Sequence, residues 1–178
     1  FFQPLNTMAD YSIALLIYEQ YRRLWNIYQS VRYPKLVRLP ALRIKRHFAL
    51  EGGFVFAGFC LMGILLVAAA FWLIPILLPT TYFPSLRYIP PLTIAFLSGL
   101  PAGMTDTYFR TQEDHKSQYL LKITGVIVGV IFSLLLLPRW GAYGVALARI
   151  VTTLAQSSVG IGLFLKSRPR VQKSEYSP

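Results

Sequence analysis

The stretch from Phe54 to Leu78, "FVFAGFCLMGILLVAAAFWLIPILL", contains 25 residues and no charged side chain. At about 1.5 Å of rise per residue, a helix of this length extends about 37 Å, which is sufficient to cross a bilayer with some tilt. A helix on the surface of a water-soluble protein would alternate apolar and polar residues, and this stretch does not. It therefore predicts a transmembrane helix.

Apolar blocks of similar length follow on both sides of this stretch. The chain has 178 residues, of which 54% are hydrophobic. The sequence predicts an all-α, polytopic transmembrane helix bundle with about five spans, followed by a basic cytoplasmic tail at 166–178. The spans are expected near 10–34, 54–78, 86–104, 119–137 and 141–165. Prolines at 90, 91 and 101 do not exclude the third span, because membrane helices tolerate proline.

The first predicted span, 10–34, is far more polar than the others, with Glu19, Arg22, Arg23 and Gln29 among its residues. One interpretation is an amphipathic helix that lies in the membrane interface. The other is a spanning helix that is shielded by its neighbours and turns a polar side toward a wet cavity. Both interpretations remain open at the level of the sequence.

The net charge of +11 is distributed unevenly between the predicted loops. The segments 35–47 and 105–119 and the tail hold eleven Lys and Arg, whereas 79–87 and 138–140 hold two. Because cytoplasmic loops carry the excess of cations, this pattern predicts a multi-pass protein of the inner (cytoplasmic) membrane with a cytoplasmic C-terminus. The same distribution argues against nucleic acid as a partner.

Arg149 stands inside the last predicted span, in "WGAYGVALARIVTTLAQ" (140–156). Residues three, four and seven apart share one face of a helix. Arg149 therefore belongs to a small and polar stripe that also contains Thr152, Thr153, Gln156 and Gly160. Either the guanidinium is satisfied by backbone carbonyls or a carboxylate within the bundle, or the stripe lines a hydrated route.

Arg22 and Arg23 lie halfway along the first predicted span, and Glu19 is close enough along the helix to pair with either. One carboxylate against two arginines leaves a net cation at this depth. Lys122 lies near the cytoplasmic end of its span and is expected to snorkel to the surface. We therefore predict a cationic cavity whose candidate substrate-binding residues are Arg22, Arg23, Arg149 and Gln156.

Gly125 and Gly129 form a GxxxG pair, which is typical of membrane helices that approach each other closely. The segment 105–119 is predicted to be a cytoplasmic loop, and it holds the only cluster of catalytic residue types: Asp106, Glu113, Asp114 and His115. The other histidine, His47, falls in a different loop, and no phosphate-binding loop or nucleophile elbow is present. We expect no enzyme activity, no metal and no cofactor.

Three stretches carry a family resemblance. "ADYSIALLIY" (9–18) is similar to a G-x-Y-S-x-A helix start, with Asp10 in place of the frequent glycine, and "YPKLVRL" (33–39) to an F-P-x-L-x-R helix end. "LPRWGAYGVALARIV" (137–151) is similar to a P-x-x-G-x-x-G-A-A-x-A motif, with Val145 for the first alanine. With the spacing of the spans, these stretches resemble the C-terminal part of the polysaccharide-biosynthesis, Wzx-like flippases of the multidrug/oligosaccharidyl-lipid/polysaccharide exporter superfamily.

The resemblance implies a two-lobe transporter of lipid-linked oligosaccharide, such as an O-antigen precursor. It would move a polyprenyl-diphosphate-linked glycan between leaflets by alternating access. Its partners would be the bilayer, that glycan and the N-terminal helices of the same protein, since Phe1 in place of Met leads us to expect a fragment or processed chain. The alternatives are a drug or metabolite exporter of the same superfamily, and a membrane enzyme or assembly factor of envelope glycan synthesis.

Overall fold

The computed structural model describes residues 5–37 and 41–167, and every regular element in these ranges is a helix. The elements are α1 (Leu5–Val37), α2 (Ala41–Leu77), a 3₁₀ helix (Thr80–Tyr88), α3 (Ile89–Thr111) and α4 (His115–Lys166). The predicted all-α fold is confirmed. The predicted basic tail lies almost entirely outside the described residues.

Helix α4 folds back on itself at Gly141. This residue has φ 59° and ψ −138°, a conformation that glycine adopts without the steric cost of a Cβ. The turn divides α4 into a first arm (115–140) and a second arm (142–166). A Cβ at Gly144 would overlap the carbonyl of Leu136, and one at Gly129 would lie 3.4 Å from Thr152 Oγ1. The two arms therefore form a close antiparallel hairpin.

Helix α1 runs parallel to α3 along most of its length. The rings of Tyr11 and Tyr88 meet edge to face at 5.6 Å near one end. Near the other end, the Thr107 hydroxyl donates to Gln29 Oε1 at 2.9 Å. The distance along α1 between these contacts is about 27 Å. The polar segment 10–34 is thus packed along the bundle, which is the arrangement that the spanning interpretation requires.

The second arm of α4 also runs parallel to α3. The hydroxyls of Ser98 and Thr153 lie 2.6 Å apart, and Thr105 lies against Gly160 further along both helices. Helix α2 runs in the opposite direction, since Gly63 faces Thr93 and Gly52 faces Met104. Together with the hairpin, these contacts define an up-and-down bundle in which α3 is the central helix.

The core lies where α1 and α2 pack on α3. Tyr21, Phe59 and Phe96 form an aromatic cluster whose members are all buried. The Tyr21 hydroxyl donates to the backbone carbonyl of Phe59, so its one polar atom is satisfied. Trp25 packs against Gly103, where a Cβ would lie 3.0 Å from the indole nitrogen. The small residue therefore lets α1 approach α3 closely.

An ion pair with a buried arginine joins α1 to α2. Arg32 Nη2 lies 2.7 Å from Glu51 Oε2, and the side chains of Arg32 and Glu51 are 6% and 40% exposed. The guanidinium also lies over the ring of Tyr28, 5.6 Å from its centroid. These contacts compensate a charge that the packed helices have removed from solvent.

Two helices are long and apolar enough to cross a membrane: α2 over Leu50–Leu77, and α4. Only 17% and 11% of their most apolar windows are buried inside the bundle, whereas the core helix of a water-soluble protein is mostly buried. Large side chains such as Phe54, Trp72 and Leu134 face outward. The outer surface of these helices is thus apolar, while the count of about five spans stays a prediction.

The prediction of a loop at 105–119 is wrong. Helix α3 continues to Thr111 and α4 begins at His115, which leaves 112–114 as the connection. The hydroxyls of Thr105 and Thr107 bond to carbonyls of the preceding turn, and Arg110 pairs with Asp106 four residues earlier. These local bonds satisfy polar side chains within a helix, so a polar composition did not indicate a loop here.

Candidate functional site

A cavity of about 490 Å³ lies between α1, α3 and both arms of α4. Its volume falls in the range of about 300–1,000 Å³ that is typical of small-molecule sites. Helix α1 contributes Tyr18, Arg22 and Trp25, which share one face because they are four and seven residues apart. Helix α1 therefore contributes two aromatic rings and one cation to the cavity wall.

Arg149 reaches this cavity from the second arm of α4. Its guanidinium carbon lies 5.1 Å from the centroid of the Tyr18 ring, within the distance at which a cation is attracted to an aromatic face. Thr152 and Thr153 line the same cavity. The polar stripe predicted from the helix period therefore faces the cavity from Arg149 to Gln156, whereas its last member, Gly160, packs against Thr105 and Leu121. No ion pair within the ranges 5–37 and 41–167 involves Arg149, so no carboxylate there neutralises it.

Gln156 lies between the two arms of α4, beside Gly125 of the first arm. Its Nε2 donates to the carbonyl of Leu121 at 3.3 Å, and a Cβ at Gly125 would overlap its amide. Thr152 packs beside Gly129 in the same way, at an ordinary contact distance. The close helix approach predicted from the GxxxG pair is confirmed, and it leaves the Gln156 amide at the cavity wall.

Arg22 lies at the cavity, whereas Arg23 is not among the residues that line it. Successive residues of a helix are rotated by about 100°, so neighbouring arginines cannot share this face. The expected pair between Arg22 and Glu19 is present at 3.5 Å, and the two side chains are 55% and 40% exposed. Such an exposed pair is weak, and it leaves the guanidinium available to a ligand.

Two further charged residues line the cavity and were missed in the sequence: Lys122 and Asp106. Lys122 is exposed and lines the cavity from the first arm, and its expected reach to the membrane surface stays a prediction. Asp106 was assigned to a loop, but it lies on α3. Asp106 Oδ2 is 2.8 Å from Arg110 Nη2, and its Oδ1 is buried without a hydrogen-bond partner in the described part of the chain.

Ser157, on the second arm of α4, forms hydrogen bonds with the backbone of α3. The Ser157 hydroxyl donates to the carbonyl of Ser98 and accepts from the N–H of Ala102 at 3.3 Å. An uninterrupted α-helix would join those two backbone groups directly. Pro101 lies between them and lacks a backbone donor, so a side chain from another helix completes the bonding of α3 at this point.

The described residues contain no group of three or more His, Cys, Asp or Glu that could hold a metal ion. Comparison of the chain with protein-family models, curated proteins and solved structures finds no match. The functional assignment therefore rests on the geometry and charge of the cavity, and the family resemblance stays a prediction.

Proposed function

We propose that this chain is part of a membrane transporter that moves a polyprenyl-diphosphate-linked oligosaccharide across the cytoplasmic membrane by alternating access. The observation that supports it is the charge of one cavity, which is lined by three cations, Arg22, Lys122 and Arg149, and one carboxylate, Asp106. A diphosphate needs cationic partners where water is scarce, and a guanidinium matches phosphate oxygens with two parallel hydrogen bonds.

The apolar exterior fits the other half of such a substrate. Outward-facing side chains on α2 and on the first arm of α4, such as Phe54 and Leu134, favour contact with lipid. In this proposal the isoprenoid tail stays among the lipids while the diphosphate and the adjoining sugar enter the cavity. Tyr18 and Trp25 provide ring surface beside the cations.

The direction of the helices agrees with the orientation expected from the loop charges. Helices α1 and α3 and the second arm of α4 run parallel. They therefore end on the same side of the bundle, at Val37, Thr111 and Lys166 respectively. That side carries the cation-rich segments and is assigned to the cytoplasm. Residues 79–87 and the turn at Gly141 then face outward.

The charge of the cavity also separates the alternatives. An exporter of cationic drugs would need a free carboxylate, whereas Asp106 is already bonded to Arg110 and is outnumbered by cations. A membrane enzyme of envelope glycan synthesis would need an acid or base at the cavity. Asp106 is the carboxylate that lines the cavity, and its ion pair with Arg110 disfavours a role as an acid or base.

The test is translocation of a polyprenyl-diphosphate-linked glycan in proteoliposomes, followed through the access of an impermeant reagent to the head group. We expect Arg149→Gln to remove most of the activity and Arg149→Lys to retain part of it, because lysine keeps the charge but loses the planar fork. Arg139→Gln is the matched control, since Arg139 is exposed and does not line the cavity.

Thermal unfolding of each variant in detergent separates function from folding. Full translocation by Arg149→Gln would contradict the proposed function. Lost translocation together with a large fall in Tm would indicate that Arg149 holds the bundle together and does not bind substrate.

A further inference from the structure

We propose that Asp106 confines the anionic head group to one end of the cavity by neutralising Arg110 at the other end, which leaves Lys122 there as a single cation. The inference rests on the proposed function, because it concerns where the same anion is held. It adds a role for a carboxylate in a site whose other charged residues are cations.

One end of the cavity is defined by Lys122 and Asp106. A Cβ at Gly160 would contact both Thr105 and Leu121, so these three residues lie at one level of the bundle. Asp106 and Lys122 are the next residues along their helices, and both line the cavity. They therefore lie at the same level of the cavity, and this end is called here the Lys122 end.

Arg149 lies far from that level. Along the second arm it is eleven residues from Gly160, a distance of about 16 Å. Its neighbours there are Tyr18 on α1 and Ser133 on the first arm, and both line the cavity. This is called here the Arg149 end.

The direction of the side chains increases the separation. In a helix the side chains tilt toward the N-terminus. Helix α1 and the second arm both begin at the Arg149 end, whereas the first arm begins at the Lys122 end. Arg22 and Arg149 therefore tilt toward one end and Lys122 toward the other, so the two guanidinium groups are the cations that can share one anion.

The Lys122 end is electrically different because of Asp106. Its side chain is only 17% exposed, and one carboxylate oxygen is buried without a hydrogen-bond partner among the described residues. Its other oxygen is paired with Arg110 at 2.8 Å, so the carboxylate neutralises that guanidinium, and Lys122 is the cation of this end that lines the cavity. With the carboxylate removed, Lys122 and Arg110 would become a second pair of cations, and the cavity would contain two anion sites.

A transporter has to release what it binds. Under the proposed orientation the Lys122 end opens toward the cytoplasm, where the head group enters. A strong anion site there would retain the head group at the mouth of the cavity. The carboxylate lowers the affinity at that end and leaves the Arg149 end as the single strong site.

The experiment measures the affinity of inorganic pyrophosphate for the purified chain in detergent at low salt. Trp25 lines the cavity and supplies the fluorescence signal in a background with Trp72→Phe and Trp140→Phe. We expect Arg149→Gln to weaken binding by about tenfold or more, and Lys122→Gln alone to change it by less than about threefold. Adding Asp106→Asn to Arg149→Gln should restore binding to within about threefold of the starting protein.

Two further variants make the test specific. Lys122→Gln added to the Arg149→Gln/Asp106→Asn protein should abolish the restored binding, because it removes a cation of the new site. Glu113→Gln added to Arg149→Gln should restore nothing, since Glu113 is an exposed carboxylate outside the cavity and changes net charge by the same amount.

The outcomes separate this inference from the proposed function. Weak binding by Arg149→Gln that Asp106→Asn fails to restore would overturn the role of Asp106 and leave the cationic site intact. A large loss with Lys122→Gln alone would also overturn it, because the anion would then be held at the wrong end. Unchanged binding by Arg149→Gln would overturn the cationic site itself.

Discussion

Arg149 lies over the ring of Tyr18 at the cavity wall, with the guanidinium carbon 5.1 Å from the centroid of the ring. The ring orients the cation without neutralising it, because an aromatic face attracts a cation but carries no net charge. Arg149 thus combines a fixed position with an uncompensated charge. A carboxylate in the place of Tyr18 would hold the guanidinium equally well but would compete with an anionic ligand.

The contact predicts different effects for two substitutions of Tyr18. Tyr18→Phe keeps the aromatic face and should leave pyrophosphate affinity nearly unchanged. Tyr18→Leu removes the contribution of about 0.5–1 kcal/mol that a cation gains over a ring, so affinity should fall by about two- to fivefold. Trp25 fluorescence measures both, and Tyr119→Leu, at an exposed tyrosine, is the control. Equal affinity of the two Tyr18 variants would contradict the positioning role.

The hairpin predicts that Gly144 is intolerant of any side chain. A Cβ there would overlap the backbone carbonyl of Leu136, and backbone cannot turn aside as a flexible side chain can. Gly144→Ala should therefore lower the free energy of unfolding by about 1–3 kcal/mol, as overpacking commonly does. Thermal unfolding in detergent is the measurement. Gly162→Ala is the matched control on the same arm, because no atom lies within 4 Å of its Cβ.

The Arg32–Glu51 pair, whose arginine is buried, should matter more than the Arg22–Glu19 pair, whose partners are both exposed. Glu51→Gln removes the carboxylate that lies 2.7 Å from Arg32, which is 6% exposed, and should cost about 2 kcal/mol of stability. Glu19→Gln should cost less than about 1 kcal/mol, since both partners are largely exposed. Comparing the Tm of the two variants in one detergent tests this order. A larger fall for Glu19→Gln would be contrary to the structure.

The orientation can be tested with single cysteines in a Cys60→Ala background. Thr81 and Lys116 are both exposed and lie at opposite ends of the bundle. An impermeant thiol reagent added to intact cells should label Thr81→Cys and not Lys116→Cys, and permeabilised cells should show labelling of both. The reverse pattern in intact cells would place the cation-rich end outside and contradict the proposed direction of transport.

Periodicity was sufficient to predict part of the site. Residues at helical spacing share a face whatever the rest of the fold does, so the stripe from Arg149 to Gln156 could be identified before its surroundings were known. The same reasoning identified the close approach at Gly125 and Gly129. Depth along the helix was not sufficient to identify cavity residues. Arg23 lies at the depth of Arg22 but on another face of α1, and it does not line the cavity.

The missed residues depend on tertiary structure. Asp106 was assigned to a loop because its neighbours are polar, but hydroxyl-to-carbonyl bonds and the pair with Arg110 keep α3 helical to Thr111. Lys122 was considered only by its depth along the helix, which does not indicate that it also lines the cavity. Tyr18 and Trp25 are two of many aromatic residues in the sequence, and only the packing of α1 on α3 selects them.

Because the turn at Gly141 is so short, the number of residues in it determines which side chains of the second arm face the cavity. It joins the two arms through a single residue with positive φ. One residue inserted directly after it would rotate the second arm by about 100° if the helix contacts were kept. Ala148 would then occupy the place of Arg149, and Ala155 that of Gln156. A single-codon insertion at this point would therefore remove Arg149 from the cavity wall, and leave Arg22 and Lys122 as its cations, without any substitution in the sequence.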